Sequence, residues 1–533
     1  MAMISTSQTT DCHTSTHSTS QNNDCHTSTH STPETTDCHT SNQSSQNTDC
    51  YTSTHSTSQN NDCHTSTHST PETTDCHTST HSTSQNTDCH TSTQSTSQLN
   101  ALRRHQEYGK IFREQFGSQY NVLVSDPALM EEILRTEGKF PSRPPYESWV
   151  LYSNLRHRRG GLMTAQNEYW KKSRSTLAVR LRPKAVCDYV PGMNQVCEDF
   201  VERIAYLKDD TGGTHLVPHL LNELNKFFME TIVFVMLNKR LGCLDKNVSG
   251  QVNGFIQAIA TMFLTGHQLM VFARFHQMLR TRPWRDHVKS WDQIYEFAAQ
   301  HVNQRIDEVS TELETGGPPL EGEHVDFLKY VVGTRQLTRE EIVDNVIEVF
   351  MGGIDTTANA TAFLFYLLSK HESVQTRLVA EIDSLLGKRQ ADSSDLQQLP
   401  LLKACVKETL RLFPPIPINA RTTTEDVAIG GYHIPKNTIL MMNLYVVSRD
   451  ETVFPEPDEF RPDRWLRGEE TSAHPFSLIP FGFGTRSCVG EFGAVSLVLQ
   501  HFRLQKSDLF DIKPSVRTQL TPGPELPVMF VQR

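Results

Sequence analysis

The sequence predicts a mainly α-helical domain with small β-sheets, an α+β class, over residues 98–533, preceded by a coreless segment over 1–97. Three observations carry this reading. Residues 1–97 hold almost no large apolar side chains, so they cannot bury enough surface to fold. Amphipathic helical spacing recurs through 215–310, and one longer helical stretch with its own start signal runs from 338 to about 370. Strand-type patterning is confined to short stretches such as Asn121–Val124.

The leading segment repeats Asp-Cys-His-Thr-Ser-Thr-His-Ser-Thr with a period of 13 residues, once 12, and is expected to be disordered. Each repeat offers Cys and His, but side by side, which is poor chelate geometry and lacks structural zinc spacing. A translated simple repeat is the better reading. Residues 1–100 carry nine carboxylates and no Lys or Arg, so most of the formal charge of −11 is theirs and the body is close to neutral. The body has no basic block, which argues against a nucleic-acid partner.

Seven of the 12 cysteines lie in the repeats, and the five others (Cys187, Cys197, Cys243, Cys405, Cys488) are too sparse for a disulfide scaffold. They fit a reducing compartment. No apolar run reaches the ~18 residues of a membrane span, and the first 30 residues show neither signal-peptide nor transit-peptide character.

In order, Asn121–Val124 reads as a strand. Ser125-Asp126-Pro127 opens a helix to about Arg135, with a capping residue before a first-turn proline. Residues 137–145 form an extended, proline-rich loop. Trp170 and Arg174 share a helix face at i, i+4. The stretch Phe255–Phe272 is strongly apolar. Thr338-x-x-Glu341 is a capping box, and Leu337 and Ile342 are spaced as a staple. The helix that follows is broken in its middle by Gly352-Gly353-Ile354-Asp355-Thr356-Thr357. Two glycines cost about 1 kcal/mol each in a helix. That pattern suits a groove passing close to a ligand, with an acid and an alcohol able to relay protons. Lys403–Leu412 is helical, and Glu408 and Arg411 can pair at i, i+3. Its apolar setting implies burial and hence a third partner, for which Arg464 in Pro462-Asp-Arg-Trp465 is the candidate.

The stretch Phe481-Gly-Phe-Gly-Thr-Arg-Ser-Cys-Val-Gly490 places one cysteine among three glycines. Ala494–Leu499 suggests a helix starting near Val489, which puts Cys488 at a helix N-terminus where a thiolate is stabilised. Such a thiolate suits a soft metal or a haem iron, and Arg486 can pair with a carboxylate. The pattern Phe-x-x-Gly-x-Arg-x-Cys-x-Gly resembles the haem-thiolate loop of the cytochromes P450. Trp170-x-x-x-Arg174, Gly352–Thr357, Glu408-x-x-Arg411 and Arg464 resemble that family's other motifs, in the same order, over about 97–533. The resemblance implies the P450 fold and haem b bound between the long helix and the Cys488 loop. Cys488 is then the axial iron ligand. Phe481, Arg486, Trp170, Arg174 and Arg421 contact the cofactor, Thr356 and Asp355 deliver protons, and Glu408, Arg411 and Arg464 form a structural lock.

The implied reaction inserts one oxygen atom from O2 into a lipophilic, sterol-like substrate, using two external electrons. An isomerase or dehydratase without external electrons, or a non-catalytic binder, is the alternative on the same fold. Leu401–Glu408 is similar to the animal mitochondrial branch, whose lysines at the positions of Lys403 and Lys407 dock a ferredoxin. This implies a peripheral place on the mitochondrial inner membrane; a diflavin reductase in the endoplasmic reticulum is the alternative. Glu491 and Phe492 depart from the two arginines that the branch usually carries there, and a Glu would repel an acidic partner.

Overall fold

The computed structural model describes residues 100–116, 119–209, 212–316, 326–468, 473–488 and 495–533. The repeat segment, Gly490, Glu491, Phe492 and the expected helix start near Val489 lie outside the described residues.

A four-stranded mixed sheet opens the domain. Strands β1 (Ile111–Phe116) and β2 (Gln119–Val124) form a hairpin, while β3 (Ile418–Thr422) and β4 (Ile439–Asn443) return from some 300 residues later. The order is β1-β2-β4-β3, with β2 and β4 parallel and the other pairs antiparallel. Asp126 caps the next helix, α1 (Pro127–Arg135), by accepting from the Ala128 and Leu129 amides, with Pro127 in the first turn. Val122, Val124, Met130, Ile133, Leu440 and Met442 bury one face of the sheet under α1. Phe476 and Ile479 join that cluster, which anchors the chain just ahead of the Cys488 loop.

The helical part follows as α2 (Glu147–Leu155), α3 (Asn167–Leu177), α4 (Val190–Asp209), α5 (Leu220–Leu237), α6 (Gly250–Gln268) and α7 (Arg282–Gly316). The spine is α8 (Arg339–Lys370), whose 32 residues span about 48 Å. Thr338 and Glu341 form the reciprocal capping box, and Leu337 and Ile342 are both buried in one cluster. Of its 32 residues, 22 are buried, as expected of a helix enclosed on all sides. Its first half packs Val343, Phe350 and Ile354 among Trp149, Met229, Phe255 and Trp291. Its second half packs Ala362, Phe365 and Leu367 among Phe200, Phe227, Leu402 and Phe502.

The expected break at Gly352–Thr357 does not occur, because α8 runs through it as continuous helix. The two glycines cost about 1 kcal/mol each. Burial of Phe350, Met351 and Ile354 beside them contributes about 1.5–3 kcal/mol each and outweighs that cost. What the motif does open is the surface. Gly352, Gly353, Asp355, Thr356 and Thr357 are only half-buried in a helix otherwise enclosed.

The last helices are α9 (Pro400–Leu412), starting at a first-turn proline, and α10 (Val495–His501). Three further two-stranded pairs complete the domain, among them Phe502–Lys506 with Val528–Gln532. No helix among the described residues is long and apolar enough to cross a membrane.

Candidate active site

The Cys488 loop is a tight reversal. The Gly482 amide donates to the Ile479 carbonyl at 2.9 Å, Ser487 to Gly484 at 3.1 Å, and the Cys488 amide closes the loop on the Phe481 carbonyl at 2.7 Å. Gly482 and Gly484 both hold positive φ (+73° and +70°), which a side chain would strain. Phe481 is half-buried against the main core. Cys488 keeps its surface accessible at the open end of the turn.

Four guanidinium groups gather around this loop. Arg486 lies over the Trp170 ring at 3.8 Å and donates to the carbonyls of Pro141 and Ala165 and to Gln166 Oε1, each at 3.0 Å. Arg174, one turn beyond Trp170 on α3, donates to the Ser487 carbonyl at 2.8 Å. Arg143 donates to the Arg486 carbonyl at 2.7 Å. Arg421 on β3 pairs with Glu137 and Asn419. The Thr422 amide holds the Ser142 carbonyl at 3.0 Å, which ties the 137–145 loop to β3 and brings Arg143 and Glu137 into the group.

The electrostatics are lopsided. Burial and the neighbouring Arg143 and Arg421 push Arg486 down to about 9. Arg143 falls to about 10 through burial and Arg421, with Cys488 and Glu137 opposing. Burial lowers Arg174, with Cys488 again opposing. Among the described residues Glu137 is the one carboxylate on this group, and burial raises its pKa against the pull of Arg421. Arg143 Nε, Arg421 Nη2 and Arg486 Nη1 are buried with no hydrogen-bond partner among the described residues. Buried cations with idle donors call for an anionic ligand. Tyr146 follows Arg143 in the same loop, and burial raises its hydroxyl pKa against the pull of Arg143. An accessible Cys488 beside surplus arginines with idle donors fits a flat cofactor bearing two carboxylates and an iron that takes a thiolate. Haem b is such a group.

On α8, Thr356 Oγ1 donates to the Gly352 carbonyl at 2.5 Å. Asn359 Nδ2 donates to the Asp355 carbonyl at 2.8 Å and to its carboxyl at 3.2 Å. Burial raises the Asp355 pKa to about 6, against Arg517 and Asn359. Among the described residues no hydrogen bond joins Thr356 or Asp355 to the arginine group.

Elsewhere in the domain, Glu408 and Arg411 on α9 expose none of their side chains. Arg411 Nε and Nη2 donate to Glu408 at 2.9 and 2.8 Å, Arg464 Nε at 2.9 Å, the Trp465 indole at 2.8 Å and the Arg461 amide at 3.0 Å. On the same helix Lys403 and Lys407 are half-buried; Lys403 donates to the Gln397 carbonyl, and Lys407 lies 5.8 Å from the Trp465 ring centre.

Comparison with known proteins agrees with this geometry. The cytochrome P450 family profile matches residues 90–529. The chain belongs to the cytochrome P450 family. This P450 is 37% identical over 440 residues to the human mitochondrial 25-hydroxyvitamin D-1 alpha hydroxylase, covering 80% of this chain and 86% of that one. It is 34% identical to zebrafish (Danio rerio) cytochrome P450 27C1, covering 80% and 81%. It is 32% identical to the rat (Rattus norvegicus) mitochondrial sterol 26-hydroxylase, covering 82% and 84%. In fold it matches the haem domain of cytochrome P450DA with a TM-score of 0.67 at 24% identity, covering 82% of this chain and 93% of that one. The P450 is therefore a haem-thiolate monooxygenase with haem b as its cofactor and a separate redox partner as its electron source.

Sequence reasoning did not single out Arg143, Glu137, Gln166 or Tyr146. The local signal was slight: Arg143 stands before two prolines in an extended loop, and its guanidinium's partner, the Arg486 carbonyl, lies 343 residues away.

Proposed function

We propose that this P450 inserts one oxygen atom into a lipophilic, sterol-like substrate, drawing electrons from a ferredoxin at the mitochondrial inner membrane. Cys488 holds the haem iron, and Arg143, Arg174, Arg421 and Arg486 hold the propionates. The observation that carries the site assignment is the set of idle guanidinium donors beside Cys488. Relatives named as sterol and vitamin D hydroxylases of mitochondria support the substrate class and the compartment.

Haem bound there supplies the activation of O2. The chain supplies the rest. Glu408, Arg411 and Arg464 fix α9 to the 455–465 segment. Thr356 Oγ1 passes a proton toward the groove, and Asp355, poised near neutrality, refills it. Lys403 and Lys407 present paired positive charge to an acidic ferredoxin. Met270, Phe272, Phe275 and Met278 are more than half exposed after α6 and rest on the membrane surface.

The test is reconstitution of the full chain with a ferredoxin system and, in parallel, with a diflavin reductase, measuring oxidation of a sterol panel. Turnover with ferredoxin alone supports the proposal. Turnover only with the diflavin reductase overturns the donor and the compartment.

A further inference from the structure

Glu348 is a buried acid that none of the chemistry above uses. It lies on α8 one turn before Gly352 and is 2% exposed. Its Oε2 accepts the amides of Met163 at 2.7 Å and Thr164 at 3.2 Å, and its Oε1 lies 2.5 Å from Thr164 Oγ1. Among the described residues no Lys, Arg or His pairs with it. A buried acid without a cation is costly unless donors satisfy it, and here one loop supplies all three contacts.

That loop is pressed onto α8 along its length. A Cβ on Gly161 would stand 2.7 Å from the Asp344 carbonyl oxygen and 2.8 Å from Asn345 Cα, so loop and helix backbones touch. Arg159 pairs with Glu341 at 2.8 Å one turn earlier. The loop then reaches the groove and the Cys488 turn together. Met163 Sδ lies 3.3 Å from where a Cβ on Gly352 would be, and the Ala165 carbonyl and Gln166 Oε1 receive Arg486.

We propose that Glu348 is a positioning residue that clamps loop 160–166 to α8, and that Met163, held over Gly352 by this clamp, sets the size of substrate the groove admits. The inference rests on the reading of Gly352–Thr357 as the substrate groove. Burial favours the neutral acid, which can donate to Thr164 Oγ1 while Oε2 still accepts both amides. A glutamine can make the same contacts. The clamp therefore survives Glu348→Gln but not Glu348→Ala.

The test uses full-length, haem-loaded protein and two azole ligands that bind haem iron, one slim and one bulky. Their dissociation constants come from optical titration. Met163→Ala is expected to improve the bulky-to-slim affinity ratio by about tenfold, the scale of a change of a few methylenes in an apolar pocket. Glu348→Ala should shift the same ratio by at least about threefold, and Glu348→Gln should leave it unchanged. Hydrogen exchange adds a readout that needs no ligand. Peptides covering 160–166 should exchange faster in Glu348→Ala, while peptides from α9 keep wild-type rates. An unchanged ratio in Met163→Ala overturns the specificity role, and unchanged exchange in Glu348→Ala overturns the clamp. Failure of the haem reading would show separately, as loss of azole binding in the wild-type protein.

Discussion

Arg411→Lys probes the buried network that ties α9 to the 455–465 segment. The Arg411 guanidinium makes five bonds: two to Glu408 and one each to the carbonyls of Ser448, Pro457 and Glu459. Lysine keeps the charge but has three donors on a single atom, and it cannot span both sides of a planar fork. At least two acceptors lose their partner where Glu408 and Arg411 are fully enclosed. Each bond to a charged group contributes about 1.5–3 kcal/mol, so the expected loss is about 3–6 kcal/mol. That is also the scale of breaking a buried ion pair. With a urea slope of about 3–4 kcal/mol per molar for a domain of this size, the unfolding midpoint should fall by about 1 M. Tryptophan fluorescence on the haem-loaded protein reads it directly. A midpoint within about 0.2 M of wild type would mean the network contributes no more than a surface pair, and the reasoning would be wrong.

Asp355 gives a pH prediction. Its carboxyl is neutral below about pH 6 and charged above, whereas its ordinary pKa is 3.8. Turnover limited by proton delivery should fall as pH rises through about 6, and Asp355→Asn should be slow with that limb flattened. The same shift costs folding stability above pH 6, and the cost disappears as pH falls toward 3.8. A wild-type pH profile in the variant would remove Asp355 from the relay. Lys403→Glu with Lys407→Glu should raise the KM for ferredoxin severalfold at low salt and leave the dithionite-reduced spectrum intact; an unchanged KM would place docking elsewhere. Phe272→Asp with Phe275→Asp should weaken pelleting with phospholipid vesicles, and equal pelleting would exclude this face from membrane contact.

What the sequence made legible was local. The start of α8 could be read because Thr338 and Glu341 satisfy each other three residues apart, and Asp126 with Pro127 announced α1 in the same way. Glu408 and Arg411 were visible as a pair because they share a helix face, while Arg464, 56 residues on, needed the motif order to be found. Distant pairings left no such mark. The parallel pairing of β2 with β4 joins Asn121 to Ile439, and Arg421 meets Glu137 across 284 residues. Nothing near Arg143 or Glu348 reveals its partner. In the sequence Glu348 is one polar residue of a helical stretch, and only the fold lays loop 160–166 upon it. The glycines of α8 suggested an interruption that the helix does not show, because propensity weighs single residues while packing on both flanks holds the helix.

The central claim is that the Cys488 sulfur holds the haem iron. The most direct measurement is the carbon monoxide difference spectrum of the dithionite-reduced full-length protein, beside Cys488→Ser and Arg174→Ala. The account predicts a strongly red-shifted Soret band in the wild type, its loss in Cys488→Ser with haem still bound, and a retained but haem-poor spectrum in Arg174→Ala. A red-shifted band that survives Cys488→Ser would contradict it.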